Sequence, residues 1–194
     1  MENYCADGVT RLFADRESWH LTTRRANEGG YSAGIHSTVT LPSWIDLRSG
    51  HGCPLCAPRP AVDEHRYFVS KLSVSTLYLT RDQSYRGTCA VVYDPAHVTR
   101  PSELSEVAWR QFASDTWLAE RAVTNAFRPD HINLECLGNT VPHLHIAVIP
   151  RYRSDPRWGH PVWTTSRDEL PKTLANDAEC ERLALALREH IESV

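Results

Sequence analysis

The run His143-Leu144-His145-Ile146-Ala147-Val148-Ile149 places aliphatic side chains at every second position and sets two imidazoles and an alanine between them. In an extended chain successive side chains leave opposite faces, so a strand here points His143, His145 and Ala147 one way and Leu144, Ile146 and Val148 the other. The aliphatic side supplies a core. The two imidazoles share the other surface, about 7 Å apart along the chain. An H-x-H pair alone also fits the polar face of an edge strand. Here a loop of small and polar residues, Gly138-Asn139-Thr140-Val141-Pro142, leads into the pair, and Pro150-Arg151-Tyr152 closes the segment.

The rest of the chain organises around this strand. Runs rich in β-branched and aromatic residues at 67–72, 75–80 and 87–93 read as strands, with Arg81 to Gly87 as the turn between the second and third. A loop then feeds a helix from Glu103 to Ala126, with Ser102 as N-cap and Ser105-Glu106 in the first turn. Its apolar residues Leu104, Val107, Ala108, Phe112, Trp117, Leu118 and Ala122 recur at helical spacing. Strands at 131–137 and 143–149 follow. After a Pro/Gly/Trp-rich loop, the last helix runs from Asp177 to Glu192 with Leu183, Leu187 and Ile191 on one face. Strands, helix, strands, helix is an α+β order: an antiparallel sheet of about five strands with one long helix and a C-terminal helix. The expected division is an N-terminal extension over 1–45, holding a short helix around Thr10 to Arg25, a catalytic domain over 46–165, and a C-terminal helical segment over 166–194 packed on it.

Charge and hydropathy narrow the partners. A formal net charge of -3 and the absence of a Lys/Arg run give no field for nucleic-acid phosphates. No apolar stretch approaches a membrane span, and the opening Met-Glu-Asn-Tyr-Cys lacks the charged and apolar regions of a secretory signal. The expected location is the cytoplasm.

Six cysteines are scattered except for Cys53-Pro-Leu-Cys56, which is half of a tetrahedral zinc site. With no second pair in the chain, histidines are the simplest further ligands. His97 and His143 are the candidates, and His65 and His51 compete with His97. The other reading, a redox C-x-x-C, normally opens a helix in a thioredoxin-like unit, whereas this pair is followed by prolines and strands. Cys89 and Cys136 lie in strand runs and read as small buried hydrophobes.

From Cys53 to Trp163 the chain resembles the histidine-triad superfamily, whose motif is His-x-His-x-His followed by two apolar residues. The carrying stretches are Gly138-Asn139-Thr140-Val141-Pro142-His143-Leu144-His145, the segment from Tyr85 to Val98, and the strand with Asn133. The resemblance implies a nucleotidyl hydrolase in which His145 attacks the α-phosphorus of a nucleotide ester, anhydride or phosphoramidate, and water then releases the nucleotide. It implies a structural zinc on Cys53, Cys56, His97 and His143. It assigns the phosphates to Asn133, Asn139 and Thr140 and the ribose hydroxyls to Asp82, and it implies a homodimer. A nucleotidyltransferase or phosphorylase, and a nucleotide-binding module without catalysis, are the competing readings.

This chain departs from the motif at Ala147, where the family carries a third histidine that donates to the phosphate or leaving group. Losing such a donor typically costs about a hundredfold to a thousandfold in rate. Arg151 or His160 could reach in from the tail, the leaving group could need no proton, or the sequence could be an altered one. His131 reads as a surface residue. Trp158 and Trp163 read as packing on the core of their own tail, with stacking in the nucleotide pocket as the alternative.

Overall fold

The strand that bears the imidazoles begins at His145, two residues later than the alternation suggests, and runs to Arg151 as β5. His143 instead closes a tight turn, its N–H donating to the carbonyl of Val141 at 2.8 Å. The backbone of Leu144 bonds Val98 and Tyr93 rather than joining a ladder of its own. These features come from a computed structural model that describes residues 42–164 and 172–192. The helix expected around Thr10 to Arg25 lies outside them.

Five strands form one antiparallel sheet: β1 Arg66–Lys71, β2 Ser75–Thr80, β3 Cys89–Tyr93, β4 His131–Glu135 and β5, in the order β1-β2-β3-β5-β4. The α+β architecture of the sequence reading is the one found. Two helices, α2 Glu106–Phe127 and α3 Asp177–Ile191, cover one face. Leu77, Leu79, Val91, Leu144, Ile146 and Val148 meet Phe112, Ala122 and Val123 of α2 and Leu183 and Leu187 of α3 in the core. The aliphatic half of the period-two run is therefore the buried half, as expected. No helix among the described residues is long and apolar enough to cross a membrane.

Helix α2 starts later than its periodicity indicates. Pro101–Glu103 form a 3-10 turn, and the Glu103 carboxylate bonds back to the N–H and hydroxyl of Thr99. Ser105, not Ser102, is the N-cap, its Oγ accepting from the N–H of Ala108 at 3.2 Å. The helix is also turned about its axis relative to the expected stripe. Val107 and Trp117 face solvent, the latter under the guanidinium of Arg121, while Asp115 and Thr116 are buried. Docking on the β1–β2 hairpin causes the turn. The Asp115 carboxylate accepts from the N–H of Ser73 at 3.1 Å, the N–H of Val74 at 2.9 Å and the hydroxyl of Ser75 at 2.7 Å.

That anchor can be tested. Asp115→Ala leaves three donors of the hairpin without an acceptor at a buried position, and the expected loss is about 3 kcal/mol. It should appear in urea unfolding as a lower midpoint at unchanged slope. A midpoint equal to the parent's would refute the anchoring role.

A short helix that the sequence reading did not anticipate, α1 Trp44–Arg48, precedes the cysteine pair. It is held by a capping box in which Ser43 Oγ accepts from the N–H of Asp46 and the Asp46 carboxylate returns the bond. The expected division at 45/46 falls inside it. The two sheet edges differ. Beside β1 lie Ala61, whose carbonyl accepts from Phe68, and Arg188 of α3, which donates to the carbonyls of Phe68 and Val69. Beyond β4 no strand follows among the described residues.

Candidate metal centre and active face

The C-x-x-C segment is a tight turn in which the N–H groups of Cys56 and Ala57 both donate to the carbonyl of Cys53. It lies against the loop after β3 because Gly50, at φ +88°, has no Cβ; one would meet the His97 ring at 3.3 Å. Cys53, Cys56, His97 and His143 thereby converge, with all four candidate ligand atoms within 4.8 Å of one another. His143 Nδ1 is 3.6 Å from the sulfur of Cys53 and 3.4 Å from that of Cys56, and His97 Nδ1 is 3.2 Å from Cys56. Sulfur and nitrogen bound tetrahedrally to zinc at their usual bond lengths stand about 3.6 Å apart. The cluster is compatible with zinc.

The far sides of both rings support the same fit. His143 Nε2 is 2.7 Å from the carbonyl of Tyr93 and His97 Nε2 is 3.1 Å from that of Arg48, the last residue of α1. A carbonyl only accepts, so each Nε2 carries the hydrogen and each Nδ1 turns its lone pair toward the sulfurs. Ring orientation by an outer acceptor is what metal-bound histidines usually show. Desolvation pushes the His143 pKa down, which keeps its imidazole neutral at pH 7. Desolvation and the adjacent Cys53 push the Cys56 thiol up to about 11, so a divalent cation is what would hold it as thiolate. His65 and His51 are exposed and lie outside the cluster.

The open face of the sheet begins beside this cluster. His145 Nδ1 lies 2.6 Å from the carbonyl oxygen of His143 and must donate to it, so in the neutral ring the lone pair is on Nε2. One residue thus turns its ring to the cysteines and its carbonyl to the neighbouring imidazole. Across the sheet, His145 pairs with Val92, Ala147 with Ala90 and Glu135, and Asn133 with Ile149. Paired residues of antiparallel strands share a face, so Glu135, Ala147 and Ala90 form one row across the sheet, next to the row of His145 and Val92.

The other sequence candidates are placed as follows. Asn139 and Thr140 are exposed on the loop before His143. Asn133 lines a cavity of about 520 Å³ with Asp130, His131, Arg151, Trp158 and His160. Asp82 Oδ1 accepts from the N–H and hydroxyl of Ser84 in its own turn. Arg151 is buried and committed: it donates to both carboxylate oxygens of Asp155 and to the carbonyls of Arg157 and His160. Its guanidinium holds the tail loop rather than reaching toward Ala147. His160 and His131 are exposed. Two expectations change. Trp158 and Trp163 are exposed and line cavities beside β4 instead of packing on a core, because the tail bends back through Arg151 rather than through its indoles. Cys136 is exposed because β4 ends at Glu135, whereas Cys89 is buried as expected.

Arg59 escaped the sequence reading. Its guanidinium stacks on the Tyr78 ring at 5.5 Å and pairs with Asp94, and its Nη1 is buried with no hydrogen-bond partner among the described residues. Nothing in its Pro-rich loop marks it.

Solved structures share this fold. A histidine triad protein of Bradyrhizobium japonicum is 25% identical, with a TM-score of 0.61 over 71% of this chain and 99% of its own. The fold is that of histidine-triad proteins. One from Sinorhizobium meliloti matches at 24% identity and TM-score 0.60 over 66% of this chain and 95% of its own. One from Marinobacter aquaeolei matches at 21% and 0.60 over 66% and 90%. No protein-family model matches the sequence, and no curated protein sequence does. The histidine-triad fold thus rests on the course of the chain, and Ala147 lies in β5, between β3 and β4.

Proposed function

We propose that this protein is a nucleotidyl hydrolase that cleaves a group linked to a nucleotide 5′-phosphate through a nucleotidyl–histidine intermediate on His145. The carrying observation is the hydrogen bond from His145 Nδ1 to the carbonyl of His143, which selects the tautomer of the neutral ring whose Nε2 lone pair is on the open face. His145 Nε2 attacks phosphorus and the leaving group departs. Water then displaces the imidazole, two easier displacements replacing one hard one. Asn139 and Thr140 hold the phosphate from the adjacent loop and Asn133 from β4, and Asp82 receives the ribose hydroxyls through its remaining oxygen. Arg151 acts at one remove, by fixing the tail that walls the cavity. Cys53, Cys56, His97 and His143 hold a structural zinc: four protein ligands leave no open position, and the zinc's contribution is rigidity. A homodimer through the β4 edge accords with the sheet ending at β4 among the described residues.

Rapid acid-free quenching after mixing with nucleoside 5′-monophosphate esters tests this reading. Peptide mass spectrometry should find a nucleotidyl adduct on His145, and free mononucleotide should accumulate without added phosphate. An adduct elsewhere, or product only when phosphate is supplied, would refute the hydrolase mechanism and favour a phosphorylase.

A further inference from the structure

Ala147 cannot donate a proton, yet its cross-strand partner can. In the antiparallel register Glu135 stands directly opposite Ala147, and directly opposed side chains have Cβ atoms about 5 Å apart on the same face. The same register sets His145 diagonal to Glu135, within about 8 Å between Cα atoms. A methyl at 147 leaves the space over the strand open. A glutamate, whose carboxyl extends two methylenes beyond its Cα, is long enough to enter that space. Glu135 is half-buried and ends β4, and the ladder with β5 holds its backbone opposite Ala147. Arg151 lies on the same face two pairs away, and the charge of Glu135 contributes to raising the Arg151 pKa, after the larger effect of Asp155. The two groups therefore sit in one electrostatic neighbourhood.

We propose that Glu135 is the acid and base of the reaction, supplying from the neighbouring strand the proton that position 147 does not. This deepens the proposed function and rests on His145 being the nucleophile. In the first step a bond forms between His145 Nε2 and phosphorus, the bond from phosphorus to the leaving oxygen or nitrogen breaks, and the Glu135 carboxyl gives its proton to that atom. In the second step water attacks phosphorus, the bond to Nε2 breaks, and the proton of the water passes to the Glu135 carboxylate. The acid is regenerated and the sum is hydrolysis. The substrate class follows: nucleotides joined to a basic leaving group, an alcohol or an amine, which must be protonated to depart.

The test compares kcat/KM, which reports the first step, for two nucleoside 5′-monophosphate esters, one of a simple alcohol and one of 4-nitrophenol. The nitrophenolate leaves without a proton. Glu135→Gln should lose about 100-fold more on the alkyl ester than on the nitrophenyl ester. Adding Ala147→His to that variant should recover part of the alkyl-ester rate, a rescue that a merely structural glutamate would not show. Equal losses on the two esters, no loss on either, or a parent protein that leaves the alkyl ester untouched overturns the role of Glu135. The parent reading has its own control. His145→Asn should lose both esters, and if it does while Glu135→Gln loses them equally, only the assignment of Glu135 fails. If His145→Asn keeps both rates, the nucleophile is wrong and the proposal for Glu135 falls with it.

Discussion

His145→Asn should turn over nucleotide esters about five orders of magnitude more slowly than the parent, the scale on which removal of a covalent nucleophile is felt. Asparagine is the informative replacement. Its amide N–H can still donate to the carbonyl of His143, where the imidazole Nδ1 donates at 2.6 Å, so the turn that carries the metal-cluster ring keeps its partner. What disappears is the second ring nitrogen. Folding, metal content and mononucleotide binding should stay near the parent's, and the loss should fall on kcat. His145→Gly with added imidazole offers a complementary check, because an external ring can supply the missing lone pair and return part of the rate. A rate within tenfold of the parent in the asparagine variant would remove His145 from the chemistry.

Taking away the metal ligands should be as severe for the fold as losing His145 is for the chemistry. Structural zinc sites contribute about 10–16 kcal/mol of apparent binding energy at pH 7, and domains are stable by only about 5–15 kcal/mol. The Cys53–Cys56 turn, α1 and the loop carrying His97 meet at this cluster, whose ligands lie as much as 90 residues apart in sequence. Cys53→Ser with Cys56→Ser, or the parent treated with a strong chelator, should lose the cooperative melting transition, and the parent should carry one zinc per chain by elemental analysis. A metal-free chain that melts where the parent does would sink the structural role. Proton linkage sharpens the test. Cys56, pushed up to about 11, holds its proton at neutral pH and must release it to bind metal, so affinity weakens as pH falls. His143 has a depressed pKa, so its neutral form favours the folded state above the unfolded value near about 6.5, and that contribution is lost as pH drops below it.

Local pattern carried the reading far where a residue's fate depends on its near neighbours. Leu144, Ile146 and Val148 are buried because alternation on a strand is a local rule, and α3 runs from Asp177 with its Leu183–Leu187 stripe inward for the same kind of reason. Cys53 and Cys56 announced themselves by spacing. His97 and His143 could be named as their companions, but their convergence depends on how β3 and β5 lie side by side. The errors share a cause. Trp117 fits the apolar stripe of α2, yet a hairpin 40 residues earlier claims the carboxylate of Asp115 and turns the helix with it, leaving Trp117 outside. Arg151 reads as a free cation near the motif, yet the tail consumes its donors. The pairing of Glu135 with Ala147 was illegible because register across two strands is a tertiary property that neither strand encodes alone.

The unequal margins of the sheet carry one more consequence. On the β1 side, Arg188 and the Ala61 segment occupy backbone groups that could otherwise recruit another chain, whereas no strand among the described residues pairs with the outer margin of β4. Polymers need two sticky ends. With one, addition of a second molecule by a two-fold axis would pair the β4 margins and leave no described edge for a third.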